Sequence, residues 1–534
     1  MANDKMKVLI TDPISPGALL VLEAEDAWDI IVTNPTDFTQ HLADADAIVL
    51  RGATKITKEA LGQAPKLRAI GRAGIGVDNI DVEAATAKGV VVMNTPGGNA
   101  ISVAEHTLAL MFALARLVPQ ASQSTKSGKW EKKKFMGTEL NGKTLGIIGL
   151  GNIGMQVARR VRPLGMNLIA HDPFVSRELA TDRGVELLTL DELFAKSDYI
   201  TLHLSVTPET EHLLNGNAFA KMKDGVRLVN CARGELVDPD ALDAALNSGK
   251  VAGAALDVFA QEPPISSPLL GHDNVIATPH IGGSTEEAQE TVGVRIAEQV
   301  RDYLNSGVVT NAVNMPSISA EQYGKLRPYL DLASRLGSFV AQIATGRPQR
   351  INITYSGKLL KENTSLIRNA ALAGILNRFL SQKTNLINAA QVAAERGLGI
   401  SENHRSRTQG AGSLSLVLET EHGQRTVQGA VFADHSPRLI SVDGIYVEAS
   451  LDGHMVFLKN DDVPGVVGRL GTILGDNKIN IADFSLGRRE NQHAPDEPAE
   501  AVAVIRIDEA LPKNVLDQLT KLEAVNFARL VELG

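Results

Sequence analysis

The stretch GIIGLGNIGMQVARRVRPLG, residues 146–165, begins as an apolar strand and continues as an amphipathic helix. At the junction stand Gly149, Gly151 and Gly154 in G-x-G-x-x-G spacing. A glycine triplet alone is a weak signal. One that follows a strand and opens a helix has the form of a dinucleotide loop. Gly149 permits the tight turn, Gly151 lets backbone approach a pyrophosphate, and Gly154 lets the helix pack closely on its strand. The helix start offers unpaired N–H groups and partial positive charge to phosphate. Asp172 ends the next apolar run, NLIAHDP. A carboxylate there accepts hydrogen bonds from the adenosine ribose and repels a 2′-phosphate, so the expected cofactor is NAD.

Around this loop the chain reads as a complete dinucleotide-binding sheet of six strands: TLGIIGL, NLIAHD, YITLHL, VRLVNC, GAALDV and NVIATP. Ahead of it, KVLIT, WDIIVT, AIVLRG, LRAIGRAG and VVVMNT alternate with amphipathic stretches, the rhythm of a second parallel sheet. One helical region over residues 101–120 leads into the cofactor sheet, and another follows it over 286–305. The turn-rich NAVNMPSIS marks a boundary near Met315 and Pro316. From there to about Gly453 the texture is a separate α+β module, with two helical stretches and a hairpin-rich half. The remainder reads as strand MVFLKN, turn DDVPG, helix VVGRLGTILGDN, strands INIADFSLGR and AVAVIRID, and a closing helix, with RRENQHAPDEPAE as a polar loop.

The 534 residues are 44% hydrophobic and 22% charged, ordinary values for a soluble globular protein. A net charge of -9 argues against a nucleic-acid partner, which calls for a basic face. The apolar run HTLALMFALARL is too short to span a bilayer, so no membrane is expected. The start shows no signal or transit character. A single cysteine, Cys231, excludes a disulfide framework and a cysteine-based zinc site, which fits a reducing cytoplasm. No histidine sits in a metal-ligating cluster, so no metal is expected.

Three polar residues stand at the ends of apolar runs of the cofactor sheet. Arg233 follows VRLVNCA, Glu262 follows GAALDVFAQ, and His280 follows NVIATP. All three fall on the carboxyl edge, where open α/β sheets bind their ligands. Passing a hydride from a secondary alcohol to NAD requires a base for the hydroxyl proton, and histidine titrates in the right range. A carboxylate beside it raises its pKa. A guanidinium grips a 2-hydroxy acid's carboxylate bidentately, which is the negative group expected to meet Arg233. A second glycine run, GRAGIGVDNID, reads as a tight turn or as a backbone cradle for a small anion. Arg72 within it and Arg51 in AIVLRGAT favour the anion.

Together, GRAGIGVDNID, KWEKKKFMGTELNGKTLGIIGLGNIG, LVNCARGELVD, AALDVFAQEPP and TPHIGGST resemble the D-isomer-specific 2-hydroxyacid dehydrogenases, specifically the long, three-module form that oxidises D-3-phosphoglycerate. The resemblance covers the whole chain. It implies an α/β fold: a Rossmann-type doubly wound sheet and a flavodoxin-like substrate domain, then an α+β intervening domain and a βαββαβ ACT domain. The corresponding boundaries are 1–98 with 287–315 for the substrate domain, 99–286 for the NAD domain, 316–452 for the intervening domain and 453–534 for the ACT domain. It implies that Arg233 binds the substrate, that Glu262 pairs with His280, and that His280 is the acid/base. Cofactor contacts are implied at Ile75, the glycine loop with Asn152 and Ile153, Asp172, Leu204, Cys231, Ala232, Arg233, Asp257, His280, Ile281, Gly282 and Gly283. Cys231 is then a bystander beside the arginine. Substrate contacts are implied at Arg51, Arg72 and Gly74. Lys132, in the run Lys132, Lys133 and Lys134, lies where the family's dimer carries a positive group to the partner's site.

The segment KNDDVPGVVGRLGTILGDNKINIADFSLGR resembles an ACT domain, with a polar loop at a helix start able to receive an amino acid's carboxylate. The resemblance implies L-serine, the pathway's end product, as effector at Asn460, Asp462 and Asn480. It also implies self-association as a dimer or tetramer. The ligand of the intervening module is not legible. Two other readings compete with oxidation of D-3-phosphoglycerate to 3-phosphohydroxypyruvate at the entry to serine biosynthesis. A glyoxylate or hydroxypyruvate reductase would have no use for Arg51 and Arg72. A non-catalytic NAD(H) sensor is disfavoured by the appended ACT-like module and the lack of basic tails.

Overall fold

The computed structural model describes residues 5–316, 318, 320–357, 359, 363–381, 383–405, 412–489 and 498–533. Part of the polar loop, 490–497, and positions 317 and 319 of the boundary segment lie outside the described residues.

Strands β1 (Met6–Ile10), β2 (Trp28–Val32), β3 (Ala47–Leu50), β4 (Ala69–Arg72) and β5 (Val91–Met93) form a parallel sheet in the order β2-β1-β3-β4-β5, the flavodoxin-like order. Its inner strands are apolar on both faces because both are covered. Leu9, Ile48 and Leu50 face Leu42, Ile56 and Leu61. On the other face Val8, Ile10 and Val49 meet Val292, Ile296 and Val300 of the helix Glu286–Ser306. That helix therefore returns to the first sheet after the chain has built the second. A Cβ on Gly71 would stand 2.6 Å from Val300, so the helix rests directly on β4.

Strands β6 (Thr144–Ile148), β7 (Asn167–His171), β8 (Glu186–Leu187), β9 (Tyr199–Leu202), β10 (Val226–Asn230), β11 (Val251–Leu256) and β12 (Val275–Ala277) form the cofactor sheet, in the order β12-β11-β10-β9-β6-β7-β8. The order reverses between β6 and β9, which places the glycine loop at the switch point. Seven strands stand where six were expected. The addition is β8, a two-residue edge too short to register as a periodic run. The helical region before this sheet is also not continuous. It divides into Ala100–Arg116 and Val118–Lys126, bent by 63° at Leu117, whose φ is 55°. Pro119 has no N–H to give to Ala115, whose carbonyl accepts instead from Thr138 N at 2.9 Å. No single helix among the described residues is long and apolar enough to cross a membrane.

The third sheet joins β13 (Pro348–Ser356), β14 (Gly399–Arg405), β15 (Ser413–Thr420), β16 (Gly423–Val431), β17 (Pro437–Val442) and β18 (Ile445–Ser450) in the order β14-β13-β15-β16-β17-β18. The helices Ala320–Ile343 and Thr364–Phe379 pack with it in one core. A Cβ on Gly374 would stand 2.1 Å from Ser334 O, so these two helices cross at backbone contact. A short helix, Ala389–Glu395, was not expected. Just before it, Asn385 Nδ2 donates to Gly89 O (2.8 Å) and Asn388 Nδ2 to Ala87 O (3.2 Å). These side chains cap the last turn of the helix Val82–Lys88 in the first module.

The last module runs β19 (Gly453–Asp461), helix Val466–Asp476, β20 (Ile481–Arg488), β21 (Glu500–Ile507), helix Lys513–Thr520 and β22 (Val525–Leu533). It is a βαββαβ unit with sheet order β20-β21-β19-β22. The chain therefore closes on a strand, not on the helix that the residue pattern suggested. Val525, Ala528 and Val531 are buried at every third position, which imitates a helical stripe.

Candidate active site

The carboxyl ends of the first two sheets face each other across a cleft of about 520 Å³. On its cofactor side, Gly149 has φ 92°, and a Cβ there would stand 2.4 Å from His203 O. A Cβ on Gly154 would stand 2.1 Å from Gly149 O, whereas Gly151 has open space around it. The three glycines are thus needed for a turn, for a close helix–strand contact and for ligand approach, and the loop fits a pyrophosphate. Asp172, the expected ribose acceptor, has backbone partners of its own. Its Oδ2 accepts from Leu150 N and its Oδ1 from Phe174 N, both at 2.8 Å, so it also holds the glycine loop in shape. Ile75, Asn152, Ile153, Leu204, Cys231 and Ala232 line the cleft, as do Arg233, Asp257, His280, Gly282 and Gly283. Burial pushes the Cys231 thiol up to about 12, so it is neutral and not a nucleophile at ordinary pH.

His280 has φ 54°, an uncommon backbone for a bulky residue, and is held by the loop around it. Its N donates to Thr278 O at 3.0 Å. Its Nδ1 lies 2.9 Å from Glu262 Oε2, while Glu262 Oε1 accepts from Phe259 N at 3.1 Å. The hydrogen bond to Glu262 raises the imidazole pKa against the opposing effect of burial. Burial alone would raise the Glu262 carboxyl, but the bonds from His280 and Phe259 outweigh it and hold the group low. With Nδ1 engaged, Nε2 is the nitrogen able to exchange a proton with a ligand.

Asp257, 1% exposed, fixes that loop from below. Its carboxylate accepts from Thr278 Oγ1 (2.6 Å), Ile281 N (2.9 Å) and Gly282 N (2.8 Å), with His106 Nε2 at 3.3 Å. Burial raises its pKa, and these donors outweigh burial to keep it charged. Ser102 Oγ donates to Gly282 O at 2.7 Å, tying the loop to the long helix.

Arg233 has a protein partner that the sequence reading did not supply. Its Nε donates to Asp78 Oδ2 at 3.1 Å and its Nη1 to Ala232 O at 2.6 Å. Arg72 is less well served. Among the described residues its Nη1 donates to Ala73 O at 3.4 Å, and its buried Nε finds no acceptor. Burial, then the nearby Arg233, pulls its pKa down to about 10. The guanidinium lies across Gly74, where a Cβ would stand 1.5 Å from Nη1. Arg72, Gly74 and Arg51 line a second cavity of about 290 Å³ that His280 also borders. Asp12 positions Arg51 by accepting its backbone N–H at 2.6 Å.

Lys132, expected to reach a partner's site and not this one, sits on an exposed turn lined by Trp130–Lys134, with its ammonium 5.8 Å from the Trp130 ring. The three effector positions do not form one joint site. Asn460 is 3% exposed and donates to Asp461 O, with its Oδ1 buried and unpartnered. Asp462 pairs with Arg488 at 3.5 Å, and Asn480 donates to Asp508 at 2.7 Å. Asn460 is the last residue but one of strand β19, and its side chain is buried in the module.

The sequence reading missed Asp78, Asn99, His106, His203 and Thr278. Asn99 borders both cavities, and its Oδ1 is buried without a partner. Burial pushes the pKa of His203 down to about 3, so it stays neutral beside the glycine loop. Asp78 was legible in part, as a charge inside the second glycine run. Among the described residues no group of three or more His, Cys, Asp or Glu could hold a metal ion.

A family model described as the D-isomer specific 2-hydroxyacid dehydrogenase NAD binding domain matches residues 108–282. The D-3-phosphoglycerate dehydrogenase intervening domain matches 325–443, and the ACT domain 454–524. The chain is 42% identical over 530 residues to D-3-phosphoglycerate dehydrogenase of Methanocaldococcus jannaschii, covering 99% of this chain and 100% of that protein. It is 40% identical over 528 residues to the enzyme of that name from Bacillus subtilis, covering 99% of each. A D-lactate dehydrogenase from Aquifex aeolicus, solved with NAD and lactic acid, superposes with TM-score 0.52 at 32% identity, covering 58% of this chain and all of that one.

Proposed function

Since the chain belongs to the D-3-phosphoglycerate dehydrogenase family of NAD-dependent 2-hydroxyacid dehydrogenases, we propose that it oxidises D-3-phosphoglycerate to 3-phosphohydroxypyruvate. The observation that carries this is the buried, under-partnered guanidinium of Arg72 beside Arg51, on a cavity that His280 also borders. Two arginines so placed suit a phosphate on the carbon next to the one bearing the reacting hydroxyl, and a buried cation whose Nε lacks an acceptor among the described residues calls for an anionic ligand.

Bound NAD supplies the hydride acceptor for C2 of the substrate. The glycine loop and the start of the helix Asn152–Val161 hold its pyrophosphate, and Asp172 its adenosine ribose. Arg233 grips the substrate's carboxylate and orients C2. His280 Nε2 removes the hydroxyl proton, and Glu262 stabilises the imidazolium that results. Arg51 and Arg72 hold the phosphate. Asp257 keeps the His280 loop in register without touching the reaction.

The ACT domain supports feedback control by L-serine, with Asp462 and Asn480 as candidate contacts at opposite ends of its sheet. Exposed Trp130 and Met136, flanking Lys132, support self-association through that turn, which would carry Lys132 to a partner's site. Purified protein assayed by NADH absorbance against D-3-phosphoglycerate and a panel of D-2-hydroxy acids tests the main reading. D-3-phosphoglycerate is expected to give the highest kcat/KM. A preference for glycolate or lactate would overturn the phosphate assignment.

A further inference from the structure

The guanidinium of Arg233 belongs to the cofactor module, yet two of its contacts come from the opposite module. Asp78 Oδ2 takes the Nε proton at 3.1 Å. The backbone of Gly76 abuts the Nη2 corner of the guanidinium, since a Cβ there would stand 1.8 Å from Nη2 and 3.0 Å from Cζ. Its own module contributes Ala232 O, 2.6 Å from Nη1. A guanidinium carries five N–H donors in a rigid fork. With the Nε side taken by Asp78, the edge left for a ligand is the end of the fork, which carries one proton from each Nη and pairs two parallel bonds with a carboxylate.

Asp78 also addresses a charge problem. Arg72 and Arg233 repel each other across the cleft, and Asp78 acts on Arg72 in the opposite sense. Its carboxylate is largely exposed, so it is not needed to fill the core. A carboxylate in that position would also discourage a ligand from taking Arg233 side-on through Nε, because that edge is already occupied.

We infer that Asp78 is a positioning residue for the reaction: from the substrate-binding module it fixes the plane of Arg233 across the cleft and reserves the end of the fork for the substrate's carboxylate. Productive alignment of the arginine then requires both modules to be at their present separation. This rests on the reading of Arg233 given above, and the experiment separates the two.

The dissociation constant of D-3-phosphoglycerate for the NADH-loaded full-length enzyme, read from nicotinamide fluorescence, is measured for wild type, Asp78→Asn, Asp78→Ala, Arg233→Ala and the double variant Asp78→Ala with Arg233→Ala. Steady-state kcat and KM accompany it for the Asp78 variants. Asp78→Ala is expected to weaken substrate binding about tenfold, the scale of a lost charge-assisted contact, and to raise KM more than it lowers kcat. NADH affinity and Tm stay unchanged. Asp78→Asn, which keeps an acceptor oxygen, recovers part of the loss, and the double variant binds no worse than Arg233→Ala alone. Unaltered substrate binding in Asp78→Ala beside weakened binding in Arg233→Ala overturns this inference alone, as do losses that multiply in the double variant. Unaltered binding in Arg233→Ala overturns the site assignment and this inference with it.

Discussion

Glu262 and His280 reach each other from two different strand-end loops, Oε2 to Nδ1 at 2.9 Å, and neither loop is free to withdraw its side chain. Phe259 N anchors the carboxylate, and Asp257 anchors the backbone after the histidine. The pair therefore behaves as one unit whose proton is delivered through the imidazole's other nitrogen.

The first prediction concerns that unit's pH dependence. Glu262 raises the imidazole pKa. In the oxidising direction the base must be free, so the rate climbs as pH rises through a pKa lying above the usual histidine value. In the reducing direction the protonated form is needed, and the rate falls through the same pKa. Glu262→Gln removes the largest raising influence, so both limbs move to lower pH. A pH profile of kcat/KM whose limb stays put in that variant contradicts the assignment. His280→Ala is expected to lose about 10²–10⁴ in kcat with NADH affinity retained.

The phosphate assignment is tested at Arg51 and Arg72. A charge-assisted hydrogen bond contributes about 1.5–3 kcal/mol, so alanine at either position raises KM for D-3-phosphoglycerate roughly ten- to hundredfold. KM for unphosphorylated D-2-hydroxy acids changes little. Steady-state kinetics with both substrates decide it, because equal losses on the two would mean a structural role.

Much of this site was legible in the sequence, and what escaped has common causes. Gly149, Gly151, Gly154, Arg233, Glu262 and His280 stand at strand ends or on fixed spacing, so local pattern alone marks them. Asp78, Asn99 and His106 act across long sequence separations: Asp78 meets a residue 155 positions away, and no periodicity encodes that. The fold behaved alike. Long apolar runs became strands as expected, whereas β8 was too short to register and β22 carried a misleading three-residue repeat. Leu117 broke an apolar pattern that looked continuous, and only the proline two residues on warned of it.

Asp172 has two tasks, and one variant can reveal both. Asp172→Ala removes a ribose acceptor and also strips Leu150 N of its partner, which costs about 1–3 kcal/mol if left unmet. Weaker NAD binding, relaxed discrimination against NADP and a lowered Tm are expected together. Isothermal titration with both cofactors and a melting curve check this, and an unaltered cofactor preference rules out the ribose role.

Control by serine is tested at Asn480 of the last module. Asn480 donates to Asp508 in this structure, so an effector must share or displace that bond. Serine titration of activity in wild type against Asn480→Ala should show inhibition weakened in the variant. Equal curves would leave the module an assembly device.

Asn385 and Asn388 cap the final turn of the helix Val82–Lys88, and the other end of that helix follows directly from the loop bearing Asp78. The helix is thus a strut pinned at both ends by modules with different duties. Swinging the C-terminal half away without it would break the bonds from Asn385 and Asn388, so the strut is pulled along or the caps are sheared. Either way, strain applied far down the chain arrives at the mouth of the cleft as a mechanical load.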